Sequence, residues 1–447
     1  MTQQNLALVL RNALDDNQLD DALAAVKDLR PIDVAEVLVQ LDPALGWRLL
    51  ERLPKRAEIF AYFEPEQQMR LVQALPRVSL AQLISEMPAD ERVDLFKRFD
   101  QRQRDALLPA LAQAEREDIR KLSAYVEGTA GALLTSDYAT LLEGMTVSEA
   151  LDALRNEAPD AETIYHAYVI DGQRHLQGVV SLRELILADP ATHVRELMVR
   201  DVVAAHTGDD QERIAKLIAR YDLLALPICD ENERLVGIVT YDDAMDVVSE
   251  EATVDIHKGA GVSAHTGNYK DAGIGLLYRK RVFWLVLLVF GNLFSGAGIA
   301  HFEDVIAANL VLVFFLPLLV GSGGNAGSQS STLMVRALAT GEVELRDWLR
   351  LLGRELAIAV ALGGTMAVAM VGIGWLRGGP EIALVVAASM LVIVLIGCLI
   401  GMSLPFVLSR LRLDPASASA PLVTSICDVS GVVIYLYIAS RIFSLPV

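Results

Sequence analysis

One carboxylate stands out by its surroundings. Asp428 lies near the middle of residues 415–440, an otherwise charge-free run, and a carboxylate at the centre of a bilayer costs about 2.5–3.5 kcal/mol on insertion scales. No Lys, Arg or second Asp lies deep in the other apolar runs to neutralise it. It is either a protonated side chain bonded to a neighbouring helix, or a carboxylate facing a water-filled ion path. In the second case its partner is an external cation, or the same Asp of a second subunit with a cation between them. Oxygen ligands and retained water suit Mg²⁺ best. The stretch 317–331, PLLVGSGGNAGSQSS, is equally unusual. Glycines 321, 323, 324 and 327 allow helices to approach closely, and Asn325 and Gln329, one helical turn apart, offer carbonyl oxygens. Small-residue packing explains the same stretch, and a narrow pore needs both. Pro421, seven residues before Asp428, is expected to break the last helix and free carbonyls toward a cavity.

A second set of acids lies outside the apolar runs. Residues 201–257 hold 14 acids and 4 bases. In a helix starting near Tyr241, the side chains of Asp243, Asp246 and Glu250 share one face, with Asp242 beside them, and Glu251 and Asp255 lie four apart on an adjoining face. Like charges at that spacing destabilise a helix unless something positive sits between them. A solvated surface accounts for single residues; the cluster as a whole points to divalent cation binding. Asp90, Glu91 and Asp94 in one turn are further candidates.

The elements that must position these groups divide the chain in two. Of 447 residues, 53% are hydrophobic and 21% charged, and the charges are segregated. Residues 1–278 carry a net charge of −20 and residues 279–447 a net charge of +2. The acidic excess argues against a nucleic-acid partner, which requires a basic face. Uncharged runs at 282–300, 305–335, 356–376 and 382–409, with 415–440, predict five membrane-spanning helices of about 20 residues each. Nine Lys and Arg side chains fall in the loops on one side of this arrangement, against Arg377 and Arg441 on the other. The positive-inside rule then places the N-terminal region in the cytoplasm and the C-terminus outside. Cys229, Cys398 and Cys427 are too few and too scattered for a disulfide framework, and no cleaved signal peptide is apparent.

Residues 1–130 read as helices in tandem. Residues 37–55 align with 59–77 at an offset of 22, and 83–101 follow at an offset of 24, the pattern of an α-solenoid. A second repeat aligns 166–185 with 225–244 at an offset of 59. Each copy predicts a β-hairpin followed by a capped helix, because Ser or Thr with an acid three residues on reads as a capping box. The G-h-h-[S/T]-x-x-[D/E] signature resembles a tandem pair of CBS domains. That resemblance implies adenine-nucleotide binding, with ribose contacts from Thr240 and Asp243 or from Ser181 and Glu184; helix capping explains the same residues without a ligand.

In order and over nearly the whole chain, these pieces resemble the MgtE magnesium channel family. The most specific motifs are Gly324-Asn325-Ala326-Gly327-Ser328-Gln329 and Asp414-Pro415-Ala416, with Pro421, Thr424, Asp428 and Gly431 beyond. Glu127-Gly128-Thr129-Ala130-Gly131 is also similar to the junction before the CBS pair. The resemblance implies an all-α superhelical N-domain (1–130), an α+β tandem CBS module (131–250), a connecting plug helix and linker (246–278), and a five-helix transmembrane domain (279–447). It further implies a homodimer in the lipid membrane with its pore on the two-fold axis. Two Asp428 carboxylates would hold hydrated Mg²⁺ there, assisted by Thr424, Asn325 and Gln329. Intracellular Mg²⁺ bridging the acids would favour the closed state, and ATP is a possible ligand of the CBS pair. The alternatives are a gradient-coupled divalent carrier and a non-conducting membrane-anchored nucleotide sensor. No HExxH spacing, Ser-nucleophile elbow or Walker motif suggests an enzyme.

Overall fold

A computed structural model describes residues 3–158, 161–263 and 272–444. It divides into two compact units, Met1–Ser249 and Glu250–Val447.

The first unit begins with short helices whose boundaries are written in the sequence. Pro43 and Pro65, equivalent at the 22-residue offset, each occupy the first turn of a helix, Pro43–Leu50 and Pro65–Ala74. Proline is tolerated there because its missing N–H would have had no helical partner. The Asp42 side chain caps the first of these by accepting from the Ala44 N–H at 3.0 Å. Each helix packs on the next but one: Pro31–Leu38 on Arg56–Ala61, and Pro43–Leu50 on Pro65–Ala74. This stacking buries Leu10, Leu49, Leu50, Phe60, Leu83 and Ile84 completely. Arg92 is buried among them and donates to the Ile84 and Met87 carbonyls at 3.1 and 2.8 Å.

Two three-stranded sheets follow. Strands β1 (Tyr138–Leu142), β2 (Thr163–Ile170) and β3 (Leu176–Ser181) form the first; β4 (Ala205–His206), β5 (Ala225–Cys229) and β6 (Leu235–Thr240) form the second. In both, the first strand runs parallel to the second and the second antiparallel to the third, so the 59-residue repeat is a repeat of topology. The signature glycines have a physical reason. A Cβ on Gly178 would lie 3.0 Å from the Val199 carbonyl oxygen, and one on Gly237 would lie 2.7 Å from that of Thr135. Val199 and Thr135 belong to segments that bridge to Val179 and Ile238, so each glycine lets a crossing backbone add to the sheet edge.

The second unit contains four helices long and apolar enough to cross a membrane: Ile274–His301, Val311–Ala339, Trp348–Arg410 and Ala420–Ile442. A straight helix of 63 residues would measure roughly 95 Å, about three bilayer cores. It is instead broken at Gly379, whose φ of 77° is non-helical. The halves fold back, so that a Cβ on Gly363 would lie 3.0 Å from the Leu391 carbonyl oxygen. The five expected spans are therefore present. Two expectations are corrected. Pro421 sits in the first turn of the last helix and breaks nothing. The helix that carries the third span begins at Trp348, ahead of the charge-free run from 356, so Arg350, Arg354 and Glu355 are helical. The connecting helix runs from Tyr241 to Gly259. The expected plug reached 270, and its part from 264 lies outside the described residues.

Candidate cation sites

In the second unit the glycine-rich segment of the second span is helical and packs on two sides. Gly323 and Gly327 meet the fourth span: a Cβ on Gly401 would come within 2.0 Å of the Gly327 carbonyl oxygen, and one on Gly397 within 2.5 Å of that of Gly323. Gly324 meets the fifth span, where a Cβ would stand 2.9 Å from Thr424 Cγ2 and 3.5 Å from Asp428 Oδ1. Ser328 Oγ lies 3.1 Å from Thr424 Oγ1 and donates to the Ala420 carbonyl at 3.2 Å. Ser331 Oγ donates to the Ala418 carbonyl at 2.9 Å. Asp428 thus borders a wall of glycine backbone and hydroxyl groups. It is half-buried, and no donor or cation engages its carboxylate among the described residues. Asn325 and Gln329 are exposed on the same helix, whereas Gly323, Gly324, Gly327 and Ser330 are buried.

The connecting helix ends against this unit. Lys258 Nζ pairs with the Asp414 carboxylate, and Gly261, at φ 69°, rests on the Pro421 ring at the start of the last span. Burial lowers the Lys258 pKa, but the bond to Asp414 and the charges of Asp414, Asp255 and Glu251 outweigh it and raise the value overall. Lys258 is therefore the positive group that the Glu251–Asp255 spacing called for. Asp414 enters the sequence reading only as a motif residue, and nothing local pairs it with a lysine 156 positions away.

In the first unit, acids from distant parts of the chain line one cavity of about 730 Å³. Asp90 and Glu91 come from the helix Ala89–Arg98, Glu162 from the loop before β2, and Asp242, Asp243 and Asp246 from the start of the connecting helix. Thr240, Lys55, Tyr62, Glu58 and Glu86 complete the polar lining, with Glu58 paired to Lys55 at 3.0 Å and Glu86 to Arg56. Burial and then the neighbouring carboxylates push Glu91 and Glu162 up to about 7. Asp243 rises to about 6, chiefly by burial, although its bond from Thr240 Oγ1 at 2.6 Å works the other way. Asp90 is raised well above the usual range, first by burial and then by Asp243. Its Oδ1 is buried with no hydrogen-bond partner.

An orphaned carboxylate oxygen among carboxylates fits a hard cation, which takes oxygen ligands and brings its own water. Among the described residues no three His, Cys, Asp or Glu side chains converge tightly enough to enclose a bare ion. The sequence groups Asp243 and Asp246 correctly and adds Asp90, but Glu162 carries no local signal. Asp94 lies beside Lys97 at 3.8 Å instead of lining the cavity. Glu250 is exposed and outside the cavity. Ser181 and Glu184 form the expected capping box, the Ser181 hydroxyl donating to the Glu184 carboxylate at 2.8 Å on an exposed surface.

Comparison with known proteins agrees with this division. Residues 29–128 match the family described as the MgtE intracellular N domain, 130–190 and 194–250 match the CBS domain, and 316–438 match the MgtE divalent cation transporter family. The chain is 40% identical over 446 residues to the magnesium transporter MgtE of Thermus thermophilus, covering 98% of both chains. It is 34% identical to that of Bacillus subtilis over 98% of both. Among solved structures, the cytosolic domain of the Mg²⁺ channel MgtE in complex with ATP is similar at 39% identity and a TM-score of 0.52, covering 54% of this chain and 99% of that one. The soluble part of a magnesium transporter is similar at 32% identity and a TM-score of 0.53, covering 56% and 100%.

Proposed function

Since the chain belongs to the MgtE family of magnesium transporters, we propose that it conducts Mg²⁺ across a membrane past Asp428 and is shut by Mg²⁺ bound to its acidic cavity. Mg²⁺ is the transported ion, and the protein is a multi-pass membrane protein. The observation that carries the pore is the Asp428 carboxylate, without a basic partner among the described residues, beside Gly324 and the Ser328–Thr424 hydroxyl pair. A hydrated ion needs such a wall: small residues leave room for its water, hydroxyls and backbone oxygens accept from that water, and a carboxylate supplies charge at a distance.

Two chains related by a two-fold axis would bring two Asp428 side chains to one ion. Exposure of Asn325 and Gln329 leaves their amide oxygens available to the same path. The cytoplasm would lie on the side of the loops rich in Lys and Arg.

Closure follows from charge. At low internal Mg²⁺, mutual repulsion of Asp90, Glu91, Glu162, Asp243 and Asp246 disfavours the compact cavity. A cation that binds the compact arrangement and not the separated one shifts the population toward it. Asp94, Asp242, Glu250, Glu251 and Asp255 extend the acidic field. The Lys258–Asp414 pair would then hold the end of the connecting helix at the start of the last span. ATP would bind the CBS pair. Ser181 and Glu184 are the better placed of the two signature pairs, because Thr240 and Asp243 face carboxylates that repel phosphate.

Mg²⁺ flux into liposomes tests the reading, with intact protein and Asp428→Ala at low and high Mg²⁺ on the soluble-domain side. Flux that requires Asp428 and is suppressed by Mg²⁺ on that side is expected. Flux that requires Asp428 but ignores that Mg²⁺ removes the gate, and equal flux from both proteins removes the pore assignment.

A further inference from the structure

Glu355 is a second carboxylate inside the membrane helices. It lies seven residues into the helix of the third span, which starts at Trp348, or roughly 10 Å along the axis. Ser330 lies nine residues before the second span's end at Ala339, and Asp428 eight residues after the fifth span's start at Ala420. The break at Gly379 returns the chain, so these three helix ends share one side of the membrane. Asp428 lies at the level of Gly324 and Glu355 at that of Ser330, six residues and roughly 9 Å nearer that side along the second span. Ser330 Oγ is buried and donates to Glu355 Oε1 at 2.5 Å, and the buried Cys398 thiol adjoins both side chains. No Lys or Arg pairs with Glu355 among the described residues. A carboxylate held by a buried serine where two membrane helices meet, without a basic partner among the described residues, calls for a role.

The role lies in how the second span is turned. Gly324, Ser328 and Ser331 recur at helical spacing: the first two face the fifth span, and Ser331 bonds to Ala418 just before it. Gly323, Gly327 and Ser330 form the adjoining stripe, in which both glycines face the fourth span and Ser330 faces Glu355. Glycine stripes permit close approach but resist rotation weakly, because they have no side chains to interlock. A hydrogen bond to a charged acceptor is directional and stronger than a neutral one. We propose that Glu355 is a positioning residue for the pore. By fixing Ser330 it sets the rotation of the second span that presents Gly324 and Ser328 to Thr424 and Asp428. This rests on the pore reading above.

The test has one arm that needs no conduction. In full-length protein with Cys229, Cys398 and Cys427 replaced by alanine, Ser328→Cys and Thr424→Cys are introduced and their oxidative cross-linking rate is followed. The rate is expected to fall about ten-fold in Glu355→Ala and in Ser330→Ala, to fall no further in the double variant, and to recover in Glu355→Gln, whose amide oxygen still accepts from Ser330. Flux in liposomes, in the native background, should follow the same order, with the Mg²⁺-to-Na⁺ ratio falling in Glu355→Ala. An unchanged cross-linking rate, additive effects of the two alanines, or a Glu355→Gln as defective as Glu355→Ala overturns the proposal. If intact protein carries no flux while cross-linking behaves as expected, the pore reading fails and the positioning role stands.

Discussion

The molecule handles carboxylates in two opposite ways. In the first unit, eight acids line one cavity, and burial with neighbouring carboxylates raises the proton affinity of Asp90, Glu91, Glu162 and Asp243. In the second, Asp428 stands among glycines and hydroxyls, with no second acid beside it among the described residues. A crowd of carboxylates is a good receptor for a cation but a poor conductor, because an ion held by many charges leaves slowly. A single carboxylate attracts an ion without trapping it, and a path must release what it binds. The contrast supports the proposal that the crowd senses the ion and the lone group passes it.

The strongest way to break the comparison is Asp428→Ala, for which a loss of about a hundred-fold or more in Mg²⁺ flux is expected; a loss of two-fold would mean that the wall alone suffices. Next is Gly401→Ala. Its Cβ would meet the Gly327 carbonyl oxygen at 2.0 Å, backbone that cannot swing aside. Overpacking of this kind costs about 1–3 kcal/mol or more, to be read as a lower yield of monodisperse protein and a lower melting temperature in detergent.

The cavity is probed by Asp90→Asn with Asp243→Asn. This pair should raise the internal Mg²⁺ needed for half-inhibition about five-fold or more, while the lost repulsion lowers flux at low Mg²⁺. Protons should act alike. Glu91 and Glu162, at about 7, and Asp243, at about 6, bind protons more tightly in the folded cavity than in the separated chain. Without Mg²⁺, their contribution to stability is present below about pH 4 and is lost as pH rises through 6 to 7. With Mg²⁺, deprotonation favours binding. Inhibition by internal Mg²⁺ should therefore weaken as pH falls from 8 to 6, and a pH-independent half-inhibition would separate the cavity from the gate. The smallest effect belongs to Ser181→Ala, which removes a helix cap worth about 0.5–2 kcal/mol. It should lower the melting temperature slightly and leave Mg²⁺ inhibition intact.

Much of this arrangement is legible in the sequence, because local rules write it. The five spans follow from charge-free runs, the CBS hairpins from the 59-residue repeat, and Asp428 from its isolation in an apolar segment. What escapes is whatever depends on segments meeting in space. Glu162 joins Asp90 and Asp243 from a loop between helix and strand, and no spacing rule links the three. Lys258, three residues after Asp255, feels its charge as local spacing allows, yet its partner Asp414 is supplied by folding alone. Pro421 misleads because proline breaks a helix in its interior and starts one at its first turn, and the sequence leaves the boundary open by a few residues. The same uncertainty, at residue 348 against 356, hides Glu355 and with it the anchor of the second span.

The turn at Gly379 bears on how the protein reaches its membrane. Third and fourth spans leave and return through one glycine, with Arg377 on one side, its guanidinium 4.4 Å over the Phe314 ring, and Glu381 on the other. With the N-terminal region cytoplasmic, as proposed, this tip must cross the bilayer during biosynthesis, and it carries one positive and one negative side chain four positions apart, a net charge of zero. A helical hairpin with a neutral tip can insert as a single piece, its two apolar arms entering lipid together, whereas a second Arg at position 381 would set the tip against the retention of basic residues in the cytoplasm.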